Sequence, residues 1–245
     1  MNEIRLGLTS VTFRGKSAEE ILGIMEKSGL RYVEWGTDVH AKSEDDARAI
    51  RALCNGRGVQ TVSLGSYYRV GDGDIAAFEA DCKIASILGA GRIRVWLGRK
   101  SSRLFTDEEK RAMLSEVRAL ADVAGQYGVT VAFEFHRKTL NDCGDSCVEF
   151  LKELSDPRVK TYWQPFFEGN DAENLDRCLS QVDAVHVFSW DAAAHRFPLD
   201  AKADEWREFI KTALPVCRDY ILEFVVDDDE DTFIRDAATL KSFFE

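Results

Sequence analysis

The sequence predicts an α/β fold, a (β/α)8 TIM barrel formed as a single domain over residues 1–245. Three observations carry that expectation. Eight short β-rich runs alternate with longer amphipathic stretches. Glycines fall where each of several helices should stop and the next strand begin. A length of 245 residues matches the ~250 typical of this barrel.

Taken in chain order, the expected strands are 4–9, 32–35, 61–64, 93–96, 130–135, 159–163, 185–188 and 220–225. Each is rich in β-branched or aromatic residues and short enough for a buried parallel strand. The expected helices are 18–28, 44–55, 75–88, 107–127, 146–154, 172–179 and 203–214, and a last helix at 231–244 completes the eighth unit. Gly29, Gly58, Gly89 and Gly128 punctuate the first four helix ends. Thr106 ahead of Asp107-Glu108-Glu109 reads as an N-cap followed by an acidic first turn. A doubly wound open sheet is the competing architecture. The helix after strand eight favours closure.

Composition narrows the class of function. The charge balance, 32 − 43 = −11, gives an acidic surface that repels phosphate backbones and anionic lipid. No nucleic-acid or membrane partner is therefore expected. The first ten residues lack the apolar core of a signal peptide, and no apolar run reaches the ~18 residues of a membrane span. Six cysteines include no C-x-x-C pair, and Cys143 and Cys147 read as reduced thiols. A cytoplasmic location is the resulting expectation.

Side chains alternate faces along a strand, so apolar positions of one parity should meet the helices and the other parity should fill the barrel. Strand five sends Val131, Phe133 and Phe135 outward, and Glu134 and His136 inward. The same rule sends Leu222 and Phe224 outward and Glu223 inward. Seven polar residues then converge at the C-terminal ends of the strands: Glu34, Arg94, Glu134, His136, Gln164, His186 and Glu223. Buried carboxylates without partners are very costly. Such a set must balance internally or hold a cation, and this end is where the fold carries its sites.

Glutamate and glutamine oxygens with one imidazole suit Mn, Mg, Co or Zn as a divalent metal ion. The expected ligands are Glu134, Gln164, His186 and Glu223, from four neighbouring strands. Glu34 and His40 are expected to support that set or to bind substrate. Arg94 needs a carboxylate or substrate partner. Trp96 and Trp190 offer faces for a sugar ring, Tyr67, Tyr68 and Arg69 can wall the pocket, and Arg196 can clamp a hydroxyl-rich or anionic end.

At these residues the chain resembles the sugar phosphate isomerase/epimerase group of xylose-isomerase-like TIM barrels, over essentially its whole length. The resemblance rests on Glu134 in VAFEFH, His186 in VHVFSWD and Glu223 in ILEFV. The motifs EWGTDVH, GSYYR, IRVWLG and YWQP support it, and look like those of an uncharacterised subgroup. That family holds a divalent metal through glutamate, aspartate, histidine and glutamate. Here Gln164 stands in place of the aspartate, and Phe167 where many members carry a further histidine. The small number of histidines argues against the endonuclease branch.

The resemblance implies isomerisation or epimerisation beside a carbonyl, through an enediolate, with Glu134 and Glu223 moving the proton. Two other readings stay open: a sugar or cyclitol lyase (dehydratase) using the same proton abstraction, and a non-catalytic sugar-binding barrel. No phosphate loop, G-x-G-x-x-G after a strand, or G-x-S-x-G occurs. The expected partner is a small-molecule sugar, and a homo-oligomer is the family's habit.

Overall fold

The computed structural model describes residues 3–245; the first two residues of the domain span drawn from the sequence lie outside it. Eight parallel strands close into a barrel in chain order: β1 (Arg5–Thr9), β2 (Tyr32–Gly36), β3 (Gln60–Arg69), β4 (Arg92–Trp96), β5 (Thr130–Glu134), β6 (Val159–Trp163), β7 (Val182–Val187) and β8 (Asp219–Leu222). Closure is made by β8 pairing with β1, with Leu6 opposite Tyr220 and Leu8 opposite Leu222. The open-sheet alternative is thereby excluded.

A helix follows each strand: α1 (Ala18–Ser28), α2 (Glu44–Arg57), α3 (Ile75–Leu88), α4 (Asp107–Gln126), α5 (Gly144–Leu154), α6 (Asp171–Cys178), α7 (Ala203–Ala213) and α8 (Glu230–Ser242). Their starts are written in the sequence. Ser17 and Thr106 form capping boxes with Glu20 and Glu109, satisfying backbone N–H groups that the helix leaves open. No helix among the described residues is long and apolar enough to cross a membrane.

The outward parity behaves as the alternation predicts. Val33, Trp35, Ile93, Val95, Val131, Phe133, Val185 and Val187 pack under the helices with almost no exposure. Inside the barrel the filling is layered. At the N-terminal end Arg92 reaches Asp183 and Asp219, and Arg5 reaches Asp219 from β1. Above it lies a plug of Tyr32, Val62, Ala132, Tyr162, Ala184 and Ile221. The polar set occupies the layer above the plug.

Three strands differ from their expected bounds by three residues or more at one end, and of these β7 begins early, at Val182 rather than at 185. β3 continues to Arg69, because its small residues Ser63, Gly65 and Ser66 give no hydrophobic alternation to read, and its pairing with β4 slips between Gly65 and Arg69. β8 stops at Leu222. Phe224 then takes a left-handed backbone, φ 49°, and its N–H donates to Thr12 Oγ1 at 3.1 Å. That turn breaks the alternation. Phe224, expected to face the helices, instead lines the barrel mouth beside Glu223.

Candidate functional site at the barrel mouth

The strand ends deliver Glu34, Arg94, Glu134, Gln164, His186 and Glu223 to one buried layer, each at most 6% exposed. Arg94 is the hub. Its Nε donates to Glu34 Oε1 at 3.0 Å, and its Nη1 donates to Glu134 Oε2. Gly65 makes room for it: a Cβ there would sit 2.7 Å from Arg94 Nη2 and 3.1 Å from Glu34 Oε1. A glycine at this strand position is a matter of close approach rather than of turn geometry.

Glu34 lies deepest and is fully satisfied. It accepts from Ser63 Oγ at 2.7 Å, Thr9 Oγ1 at 3.3 Å and Arg94. Burial pushes its carboxyl up, but Arg94 and His186 outweigh burial and hold it well below the usual range. It does not line the mouth cavity. Its position supports the layer above it.

Glu134 also stays ionised. Burial works against it, and Arg94, His186 and His136 overcome that, helped by a hydrogen bond from Trp96 Nε1 to the same Oε2. Glu223 has the opposite balance. Burial raises its carboxyl to about 7, His186 opposes the rise and the charge of Glu134 reinforces it. No hydrogen bond from the described residues reaches its carboxylate; His186 Nδ1 lies 3.5 Å from Oε2.

His186 is fully buried between two kinds of neighbour. Nδ1 lies 3.1 Å from Gln164 Oε1 and faces Glu223, while Nε2 lies 3.4 Å from Glu34 Oε1 without a well-formed hydrogen bond. Burial favours the neutral ring, and Glu223 and Glu34 together raise its basicity above the ordinary value. A carboxylate behind one imidazole nitrogen is the arrangement that orients the other toward a metal.

The donor set fits a divalent ion. One ligand atom each from Glu134, His186 and Glu223 can be chosen within 4.8 Å of one another, and Gln164 Oε1 adjoins His186. Three carboxylates face one arginine in this layer, so additional positive charge would be stabilising. In the protein alone, the same imbalance raises the proton affinity of His186 and reinforces the effect of burial on Glu223. A cation bound by oxygen and imidazole donors would supply that charge.

Over this floor opens a cavity of about 210 Å³ with aromatic walls. Trp96 stacks on His136 at 5.3 Å and meets the Tyr67 ring edge-on at 5.7 Å. Trp190 packs between Phe188 at 4.6 Å and Phe224 at 5.7 Å. Apolar ring faces above a polar floor suit a small molecule with a hydroxylated edge and a C–H face. His136 is oriented by its Nδ1, 2.7 Å from the Arg137 carbonyl.

His40, Arg196 and Tyr68, all expected at the site, are committed elsewhere. His40 sits outside the cavity, with Nδ1 3.0 Å from Ser10 Oγ and Nε2 3.0 Å from the Lys16 carbonyl, stitching two mouth loops together. Arg196 donates to the Val225 carbonyl at 3.0 Å and to Asp228 Oδ1 at 2.6 Å, and does not line the cavity. Tyr68 turns into the core and donates to Glu116 at 2.7 Å. Sequence reasoning missed Phe224 and Val11 as cavity walls. For Phe224 the parity points the wrong way, and no residue signal announces a left-handed phenylalanine.

The comparisons agree with this architecture. A family model described as xylose isomerase-like TIM barrel matches residues 22–211. Among curated proteins, a 3-dehydroshikimate dehydratase from Bacillus anthracis is 24% identical over 171 residues, covering 64% of this chain and 60% of the relative, so the match spans less than two thirds of that protein. Among solved structures, the probable 3-DHS dehydratase from Bacillus anthracis superposes with a TM-score of 0.82 at 16% identity, covering 99% of both chains. D-Psicose 3-epimerase from Clostridium cellulolyticum gives 0.75 at 16% identity, covering 98% of both. A 3-keto-D-glucoside 4-epimerase from E. coli gives 0.74 at 15% identity, covering 99% of both. At those identities the structural likeness is one of fold.

Proposed function

We propose that this chain, which belongs to the xylose isomerase-like TIM barrel family, is a divalent-metal-dependent isomerase or epimerase acting on a sugar or sugar derivative. The observation that carries the reading is the meeting of Glu134, His186 and Glu223 on the floor of a small aromatic-walled cavity. Glu134, Gln164, His186 and Glu223 would hold the ion. Bound there, a divalent ion would polarise a substrate carbonyl and ease loss of the adjacent C–H proton.

The chain's own groups move that proton. Two carboxylates in one site, one held ionised and one protonated up to about 7, form an acid–base pair. Glu134 is the group suited to take the proton from the carbon beside the carbonyl. Glu223 is suited to deliver one to the other face. Arg94 and Trp96 fix the Glu134 carboxylate by holding one of its oxygens. The aromatic walls exclude water and confine the ring or chain of the substrate.

A second reading uses the same abstraction to expel a β-hydroxyl. The relative named as a 3-dehydroshikimate dehydratase supports it, and a protonated Glu223 would assist departure of hydroxide as water. Incubation with keto- and aldo-sugars and with cyclitol ketones in D2O separates the two. Deuterium in a recovered isomer supports isomerisation or epimerisation, and an unsaturated product supports elimination. Stoichiometric binding with no exchange and no product across that panel would replace both with a non-catalytic sugar binder.

A further inference from the structure

The slip in pairing between β3 and β4 sets Arg69 opposite Trp96. The guanidinium carbon of Arg69 lies 3.4 Å from the centroid of the Trp96 ring, a face-on cation–π contact. Its Nη1 donates to the Gly98 carbonyl at 3.2 Å. The two carboxylates whose charge it feels, Asp72 and Glu134, are each taken by another arginine, Arg99 and Arg94. Arg69 therefore has no ion-pair partner among the described residues. It is committed to the indole instead.

Trp96 is held from several sides. The Arg69 guanidinium lies over the ring, His136 stacks on it at 5.3 Å and 28°, and Tyr67 meets it edge-on. The indole N–H donates to Glu134 Oε2, the oxygen that Arg94 also binds. Both donors fall on Oε2, so Oε1 of Glu134 is the oxygen left for chemistry. A cation over the ring draws π density away from it and makes the N–H a stronger donor.

We propose that Arg69 is a positioning residue for Glu134, acting through Trp96: it clamps the indole so that its N–H stays on Oε2 and Oε1 stays free. This rests on the reading of Glu134 as the proton-transfer group, but the contact itself can be tested without turnover. The probe is the indole N–H region of the 15N-labelled protein, where five tryptophans give one resonance each and Trp96→Phe assigns one of them. Glu134→Gln should move the Trp96 resonance, identifying the acceptor. Arg69→Leu should move it upfield and speed its exchange with water about ten-fold, the scale of one such cation–π contact. Arg69→Lys, which keeps a cation over the ring, should restore most of both. An unchanged Trp96 resonance in Arg69→Leu, or equal changes in the leucine and lysine variants, would overturn the proposal. If Arg69→Leu fails to fold, Arg69→Gln retains a donor for Gly98 without the charge and reads the same way. Failure of the functional reading would look different: Glu134→Gln would remain active while the resonance still answered to Arg69.

Discussion

Oε2 of Glu223 lies 3.5 Å from Nδ1 of His186, at the point where the carboxylate meets no hydrogen bond from the described residues. The pair sits in a layer with more negative than positive charge; burial and the neighbouring carboxylates raise the proton affinity of Glu223, and the carboxylates raise that of His186 against burial. Cations, protons and the two proposed chemical roles all compete for these two groups.

Metal binding is the first consequence. Purified protein should carry near-stoichiometric divalent metal by elemental analysis, and His186→Ala should lose it. Losing even a supporting group of a metal ligand typically costs 10- to 100-fold in affinity, so losing the ligand itself should cost at least that. Metal bound undiminished by His186→Ala would place the ion elsewhere.

Stability should depend on pH through Glu223 with a definite sign. An ordinary glutamate ionises near 4.5, and this one at about 7 in the fold. Below 4.5 the group is neutral folded or unfolded and costs nothing. Between 4.5 and 7 the unfolded chain has released the proton and the folded one has not, so stability falls as pH rises. Above 7 the full cost is in place, about 3 kcal/mol. Denaturant titration of metal-free Glu223→Gln should show its stability rising relative to the parent protein from pH 5 to pH 7 and then levelling. A difference that shrinks over that range would contradict the charge balance described here.

Turnover should fail in both carboxylate variants. Positioned acid–base groups contribute about 10²- to 10⁴-fold, so Glu134→Gln and Glu223→Gln should each drop kcat by at least that range on any substrate identified. Deuterium wash-in at the carbon beside the carbonyl is the direct measurement. Activity retained in both variants would sink the mechanism.

Gly65→Ala tests the packing beneath the site. The added methyl would lie 2.7 Å from Arg94 Nη2 and 3.1 Å from Glu34 Oε1. The guanidinium is pinned by two carboxylates and cannot retreat freely. A destabilisation of about 1–3 kcal/mol, the usual cost of overpacking, is expected in chemical denaturation.

The other end of the barrel gives a purely structural counterpart. Asp219 is fully buried and serves both Arg5 and Arg92, whereas the Arg5 side chain is 39% exposed. Asp219→Asn leaves Arg92 buried with a partner removed, and should cost about 3–5 kcal/mol. Arg5→Met should cost much less, since water screens an exposed guanidinium. Equal losses in thermal unfolding would refute this difference in burial.

The sequence by itself determined the barrel and the membership of its polar floor. The recurrence of short strand-like runs and amphipathic helices, helix caps such as Ser17 and Thr106, and the parity of most strands are local properties, each set within a few residues by backbone geometry. They suffice to send Arg94, Glu134, His186 and Glu223 to one end of one interior. What only the tertiary structure decided is which of these groups touch. Glu34 and Arg94 are 60 residues apart, and their contact depends on Gly65 from a third strand making room. His40 and Arg196 carry the right chemistry at the right strand ends, yet loop contacts spend their donors outside the cavity. Phe224 enters the cavity because one left-handed residue breaks the alternation, and Arg69 reaches Trp96 because two strands slip in register. Alternation fixes the face a side chain leaves from; distance between side chains is set by register, loop path and packing, which couple residues far apart in the chain.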